Sequence, residues 1–187
     1  MLGRPGRLTG SQGTVLMCTR HVRVMLSAIT WSLAAVVWAQ PPTYEQRYSI
    51  PDWVNTAWVR SGLDTTLEFD TRLNPYCHRG DFDGDGRGDF VVLISERASG
   101  KKGIAFVHRA TGRVTVLGAG RDAPNVGDDF SWMDAWTLFD KGKVPRGATE
   151  EPPPTLIGDA LLVFKTEAAS GILWWDGSRY RWYQQGD

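Results

Sequence analysis

Gly80-Asp81-Phe82-Asp83-Gly84-Asp85-Gly86-Arg87-Gly88-Asp89-Phe90-Val91-Val92-Leu93-Ile94 joins an acidic, glycine-rich turn to a short apolar run. The run from Phe90 to Ile94 is continuous and β-branched, the pattern of a strand covered on both faces. Such a strand needs neighbours at its sides and layers above and below it. Beyond it, Ile104 to His108 and Val114 to Leu117 flank Ala110-Thr111-Gly112-Arg113 and read as a hairpin. Nearer the carboxyl end, Ala160 to Thr166, Ile172 to Trp175 and Arg179 to Gln184 read as an antiparallel meander, turning at Ala168-Ala169-Ser170-Gly171 and at Asp176-Gly177. Asp128 to Phe139 fits both period two and a helical period and leans to strand, while Lys141 to Pro154, with three consecutive prolines, reads as a surface loop that buries little.

Upstream of the acidic turn, Leu67 and Phe69 alternate with Glu68 and Asp70 in Thr65–Thr71, as in a half-buried strand. Before that, Ile50, Trp53, Val54, Ala57 and Trp58 make one apolar helical stripe, with Ser49 as the expected N-cap, Pro51 in the first turn and Ser61-Gly62 closing it. The expected fold is therefore β-rich α+β: one mainly antiparallel sheet of five to seven strands, an amino-terminal helix packed on it, and the acidic loop between strands. No segment recurs at the period of a propeller or solenoid.

Asp81, Asp83, Asp85 and Asp89 stand at positions 1, 3, 5 and 9 of the acidic stretch, with glycines at 4, 6 and 8. Alternate spacing lets the side chains of a tight loop converge, and carboxylates brought that close repel one another unless a cation lies between them. Oxygen-only ligation in a flexible loop suits Ca²⁺ better than Mg²⁺, which keeps its waters, or Zn²⁺, which takes nitrogen and sulfur. The competing reading is a solvated acidic turn between strands. An EF-hand fits less well, because position 12 is Val92 rather than a bidentate Glu and a strand-like run follows.

The stretch Gly80–Val92 resembles the calcium loop of FG-GAP/VCBS-type repeats, a DxDxDGxxD turn linking two strands. That resemblance implies ligation by the carboxylates of Asp81, Asp83, Asp85 and Asp89 and by the Arg87 carbonyl. It covers about 15 of the 187 residues, and the loop occurs once rather than once per blade, so it carries over the site and not the propeller. The remainder of the chain from Gln40 on, in particular Gly171-Ile172-Leu173-Trp174-Trp175-Asp176-Gly177 and Trp182-Tyr183-Gln184-Gln185-Gly186-Asp187, resembles small exported bacterial proteins, which names no activity.

Charge is distributed unevenly. The 21 basic and 21 acidic residues cancel, which argues against a nucleic-acid binder with a strongly basic face. A hydrophobic content of 42% argues against a disordered chain. All the acidic residues lie beyond position 44, and Met17 opens a basic stretch followed by an apolar run from Val24 to Val37 and then Trp38-Ala39. This reads as a secretory signal peptide over 17–39, with residues 1–16 an extension upstream of the true start. The run spans about 15 residues, short of the ~20 that a membrane anchor requires. Cleavage after Ala39 would leave a single domain, 40–187, with 17 basic and 21 acidic groups, a net charge of −4, and Cys77 as its only cysteine. A periplasmic or secreted location follows, with no disulfide to help the fold.

Nucleophilic chemistry would need Cys77 to meet His108, which sits in an apolar run where a structural role is the commoner one. No catalytic residue is assigned. The tryptophan-rich end offers a contact patch of Trp174, Trp175, Tyr180 and Trp182, since consecutive Trp174 and Trp175 must point to opposite faces of their strand. The expected function is an exported calcium-binding module with a structural ion, non-enzymatic, whose partner is another protein or an envelope component. The alternative is an envelope glycan-binding module or hydrolase using the aromatic hairpin.

Overall fold

The computed structural model describes residues 49–186. The segments read as an extension, 1–16, and as a leader, 17–39, lie outside the described residues. Helix α1 (Asp52–Arg60) comes first, then a short 3-10 turn (Leu63–Thr65). Nine strands follow: β1 (Leu67–Phe69), β2 (Cys77–Gly80), β3 (Asp89–Glu96), β4 (Lys102–Val107), β5 (Val114–Gly118), β6 (Ala135–Phe139), β7 (Ala160–Lys165), β8 (Ala169–Trp175) and β9 (Tyr180–Gly186). All pairing between strands is antiparallel, and neither sheet closes into a barrel. The β-rich α+β architecture is thus what the described residues adopt, with α1 as their one α-helix of more than a turn.

The strands divide between two sheets rather than forming a single one. In the first, β3 pairs with β4 and β4 with β5, while β1 and β2 share the other edge of β3: β1 lies opposite Ile94–Glu96 and β2 opposite Asp89–Val92. The second is the meander β6-β7-β8-β9. The physical reason for two sheets is the double burial of β3, whose residues from Asp89 to Ser95 are all buried. Phe90, Val92 and Ile94 face α1, where Trp53 meets the Phe90 ring edge-on at 6.5 Å and Trp58 packs on Phe69, the partner of Ile94. Val91 and Leu93 face the other way, on the side of Phe106, which lies opposite Val91 in β4. There the second sheet supplies the cover: Tyr180 stacks on Phe106 at 3.7 Å between centroids, and Trp175, Leu161, Val163 and Leu173 belong to the same core. An aromatic pair so placed contributes ~0.5–1.5 kcal/mol beyond the burial of its apolar area.

Other details also depart from the sequence reading. Strand β2 was not expected, because Cys77-His78-Arg79-Gly80 has no apolar alternation; its extended form comes from the hydrogen-bonding edge that β3 offers. Helix α1 begins after Pro51, not Ser49, and has no side-chain cap. The ambiguous segment resolves into strand over 135–139 only. The proline-rich loop buries more than expected: Val144 packs with Leu156, Ala160, Ile172 and Tyr183 in a minor core on the outer face of the second sheet. Among the described residues no helix is long and apolar enough to cross a membrane.

Candidate metal centre

The acidic loop runs from the end of β2 into β3 and is pinned at both ends. Phe82 anchors it from below, fully buried and edge-on to Phe106 at 5.3 Å. From the side, the Asp81 amide donates to Asp159 Oδ2 at 2.8 Å and the Asp159 amide donates to the Asp81 carbonyl at 2.7 Å. Asp159 Oδ1 also accepts from the Lys141 amide, so one carboxylate ties the loop to the chain just ahead of β7. Gly158 lets these segments touch, since a Cβ there would run into the Asp81 carbonyl oxygen.

Within the loop each carboxylate folds back on its own backbone, as short acidic side chains do in turns. Asp81 accepts from the amides of Gly84 (2.9 Å) and Gly86 (3.0 Å), Asp83 Oδ1 from Asp85 (3.2 Å), and Asp85 Oδ1 from Arg87 (2.8 Å). Gly84 and Gly86 take φ values of +78° and +83°, which would strain a residue with a side chain. The result is convergence: one oxygen from each of Asp81, Asp83 and Asp85 lies within 4.8 Å of the other two. This cluster is chemically able to hold a metal ion.

Asp89 sits deeper than the resemblance implies. It is 1% exposed; its Oδ1 accepts from the Arg109 amide at 2.8 Å and its Oδ2 from the Phe82 amide at 3.2 Å. Its group is Asp83 and His108: His108 Nδ1 lies 3.1 Å from Asp83 Oδ2 and 3.3 Å from Asp89 Oδ2. Asp83 therefore belongs to two clusters, one oxygen toward the loop and one toward the core. Burial, then the charge of Asp89, push the Asp83 carboxyl above its ordinary range, against the pull of His108. On its far side His108 Nε2 is 3.4 Å from the Tyr180 hydroxyl, whose proton is held well beyond its usual pKa by burial and by Asp89 and Asp83.

The loop residues named from sequence are thus unevenly gathered. Asp81, Asp83 and Asp85 converge, Arg87 enters as an amide donor to Asp85, and Asp89 stands one layer below. Two contributors escaped the sequence reading. Asp159 is 78 residues from its partner and carried no local signal. His108 was weighed only against Cys77, and the register separates those two: Cys77 lies opposite Val92 on the helix face of the sheet, whereas His108 follows Val107 on the face toward Tyr180.

The aromatic patch does not assemble as expected. Trp175 and Tyr180 are core residues paired across β8 and β9, because the face they share is the one that covers Phe106. Trp182 is half-buried on that same face against Trp132, and Trp174 is half-buried on the opposite face, where it packs against the minor core. Trp174 and Trp182 do line a common cleft of about 430 Å³ along edge strand β9, with Asn125, Glu151 and Arg181. No protein-family model, curated protein or solved structure matches this chain.

Proposed function

We propose that the chain is an exported calcium-binding module, its loop of the FG-GAP/VCBS type, with an ion that is structural and a binding rather than enzymatic role toward another protein or an envelope component. The observation that carries this reading is the convergence of the Asp81, Asp83 and Asp85 oxygens on a loop tied down by Phe82 and Asp159. Three carboxylates so close are mutually repulsive, and an all-oxygen ligand set on a glycine-rich turn matches the preference of Ca²⁺. Asp81, Asp83 and Asp85 would hold the ion, which would lock the turn between β2 and β3 and, through Asp159, the start of β7. The segment read as a leader over 17–39 supports a periplasmic or secreted location, where calcium is millimolar-range and weak sites suffice. Isothermal titration with Ca²⁺ is the direct test: one saturable site of sub-millimolar affinity, weaker for Mg²⁺ and lost in Asp81→Ala. A wild-type chain that takes up no calcium would overturn it.

A second reading, glycan binding, draws on the cleft that Trp174 and Trp182 share with Asn125, Glu151 and Arg181, a mixture of apolar rings and polar edges suited to sugar. Quenching of tryptophan emission by soluble cell-wall oligosaccharides, abolished in Trp174→Ala, would favour it over the first.

A further inference from the structure

A different groove carries an independent assignment. Between α1 and the β4–β5 turn lies a depression of about 680 Å³ lined by Trp53, Arg60, Arg109, Thr111, Arg113 and their neighbours. Three arginines line it and no acidic residue does. Among the described residues none of the three is ion-paired, although Asp70, Glu68 and Asp176 each hold an arginine elsewhere on the surface. Cations left without counter-charge on one small surface repel one another, and in a chain with no net charge that arrangement is a local feature rather than a consequence of composition.

Two of the guanidinium groups are also held in place. Arg109 lies over the Trp53 ring at 5.0 Å, on the groove side, and Arg113 over the Trp175 ring at 5.4 Å, on the face turned to the second sheet. Stacking fixes the plane of a guanidinium and leaves its N–H edge free to meet oxygens, so less rotamer freedom is lost when a ligand arrives. The backbone beneath Arg109 is fixed as well, by the bond from its amide to buried Asp89. Thr111 adds a hydroxyl donor at the rim, its oxygen accepting from the Arg113 amide, while the Thr56 and Ser61 hydroxyls donate to the Asp52 and Trp58 carbonyls of α1. Planar forks beside a hydroxyl are the donor set that tetrahedral oxyanions accept, often two bonds at a time.

We propose that this groove binds a tetrahedral oxyanion, a phosphate or sulfate group carried by a small molecule or a lipid headgroup, with Arg109 as its main contact, Arg60 closing the helix side and Thr111 at the rim. This assignment does not rest on the calcium reading. The test is therefore run at constant 1 mM Ca²⁺ and repeated without it, so that failure of one leaves the other standing.

Inorganic sulfate, which stays soluble beside calcium, is titrated against chloride at matched ionic strength while tryptophan fluorescence and the melting temperature are followed. Sulfate should give a saturable change that chloride does not. Arg109→Gln should weaken it at least tenfold. Arg60→Gln stacks on no ring, so it covers the case in which the Arg109 variant fails to fold, and it should weaken binding about threefold. Sedimentation with phosphatidylglycerol and phosphatidylcholine vesicles then assigns the source: retention on the anionic vesicles alone, reversed by sulfate, marks a headgroup, and sulfate binding without retention marks a soluble ligand. Equal responses to sulfate and chloride, or sulfate binding untouched in Arg60→Gln and Arg109→Gln, would overturn the proposal.

Discussion

Asp83→Asn separates the two effects that the acidic loop combines. The substitution keeps the volume of the side chain and an oxygen to accept the Asp85 amide, and it removes one negative charge. In the ion-free protein that charge is a cost. Two unit charges at the 4.8 Å limit of the cluster repel by about 1–3.5 kcal/mol for dielectric constants between 80 and 20, and a loop this open to solvent belongs near the lower figure. Asp83 has two such neighbours, Asp81 and Asp85, and a third carboxylate at Asp89. Against this relief stands the loss of its contact with His108, worth about 1 kcal/mol. In EDTA the variant should therefore melt at or above wild type, by about 1–2 kcal/mol. In calcium the order changes. With a dissociation constant of about 0.1 mM, 2 mM Ca²⁺ stabilises wild type by about 2 kcal/mol, and a tenfold weaker variant gains only about 0.6 kcal/mol. Calorimetric melts of both proteins in EDTA, CaCl₂ and MgCl₂ at equal ionic strength read the calcium increment directly. A variant whose increment equals that of wild type, or which loses the same stability in every buffer, would refute the idea that Asp83 stands where an ion belongs.

Two further outcomes bear on the frame around the site. Gly158→Ala should cost about 2–4 kcal/mol in urea denaturation, because the new methyl collides with the Asp81 carbonyl and forces apart the reciprocal bonds to Asp159; a wild-type midpoint would mean that this close approach is not what positions the loop. Asp134 accepts from the Thr166 amide and hydroxyl and from the Lys165 ammonium, which together hold its carboxyl at about 2. A folded-state pKa below the unfolded ~4 means stability that is complete above pH 4 and is lost as pH falls from about 4 to 2. Asp134→Asn should flatten that part of a melting-temperature profile, and an unchanged acid limb would show that the staple between β6 and β7 contributes nothing.

What the sequence made legible was local. The run Phe90–Ile94 announced a doubly covered strand, and the periodicity from Ile50 to Trp58 announced a helix, because burial leaves its period in neighbouring residues. The division into two sheets was hidden, since it depends on which layer reaches the far face of β3, and Val91 and Leu93 look the same whatever covers them. The same limit governs the site. The spacing of Asp81, Asp83 and Asp85 reports its own convergence, yet Asp89 carries the right residue type and points into the core, toward the histidine that follows β4 and the amide after it. Trp175 and Tyr180 failed as a surface pair for a related reason: alternation assigns faces but does not say which face is wet.

The reciprocal bonds between Asp81 and Asp159 have a consequence for how the molecule comes together. Within each sheet the strand pairs join neighbours in sequence, β1 with β3 excepted, so each sheet can condense largely by itself. The clasp between them spans 78 residues and forms only once both halves are in place. An ion seated over Asp81 would then act as a latch on the finished assembly, and the amides of residues 81 and 159 would exchange their hydrogens in step despite their distance along the chain. Under the proposed export, the cytoplasm would withhold the latch and the destination would supply it, so the chain would stay loose while it travels and set on arrival.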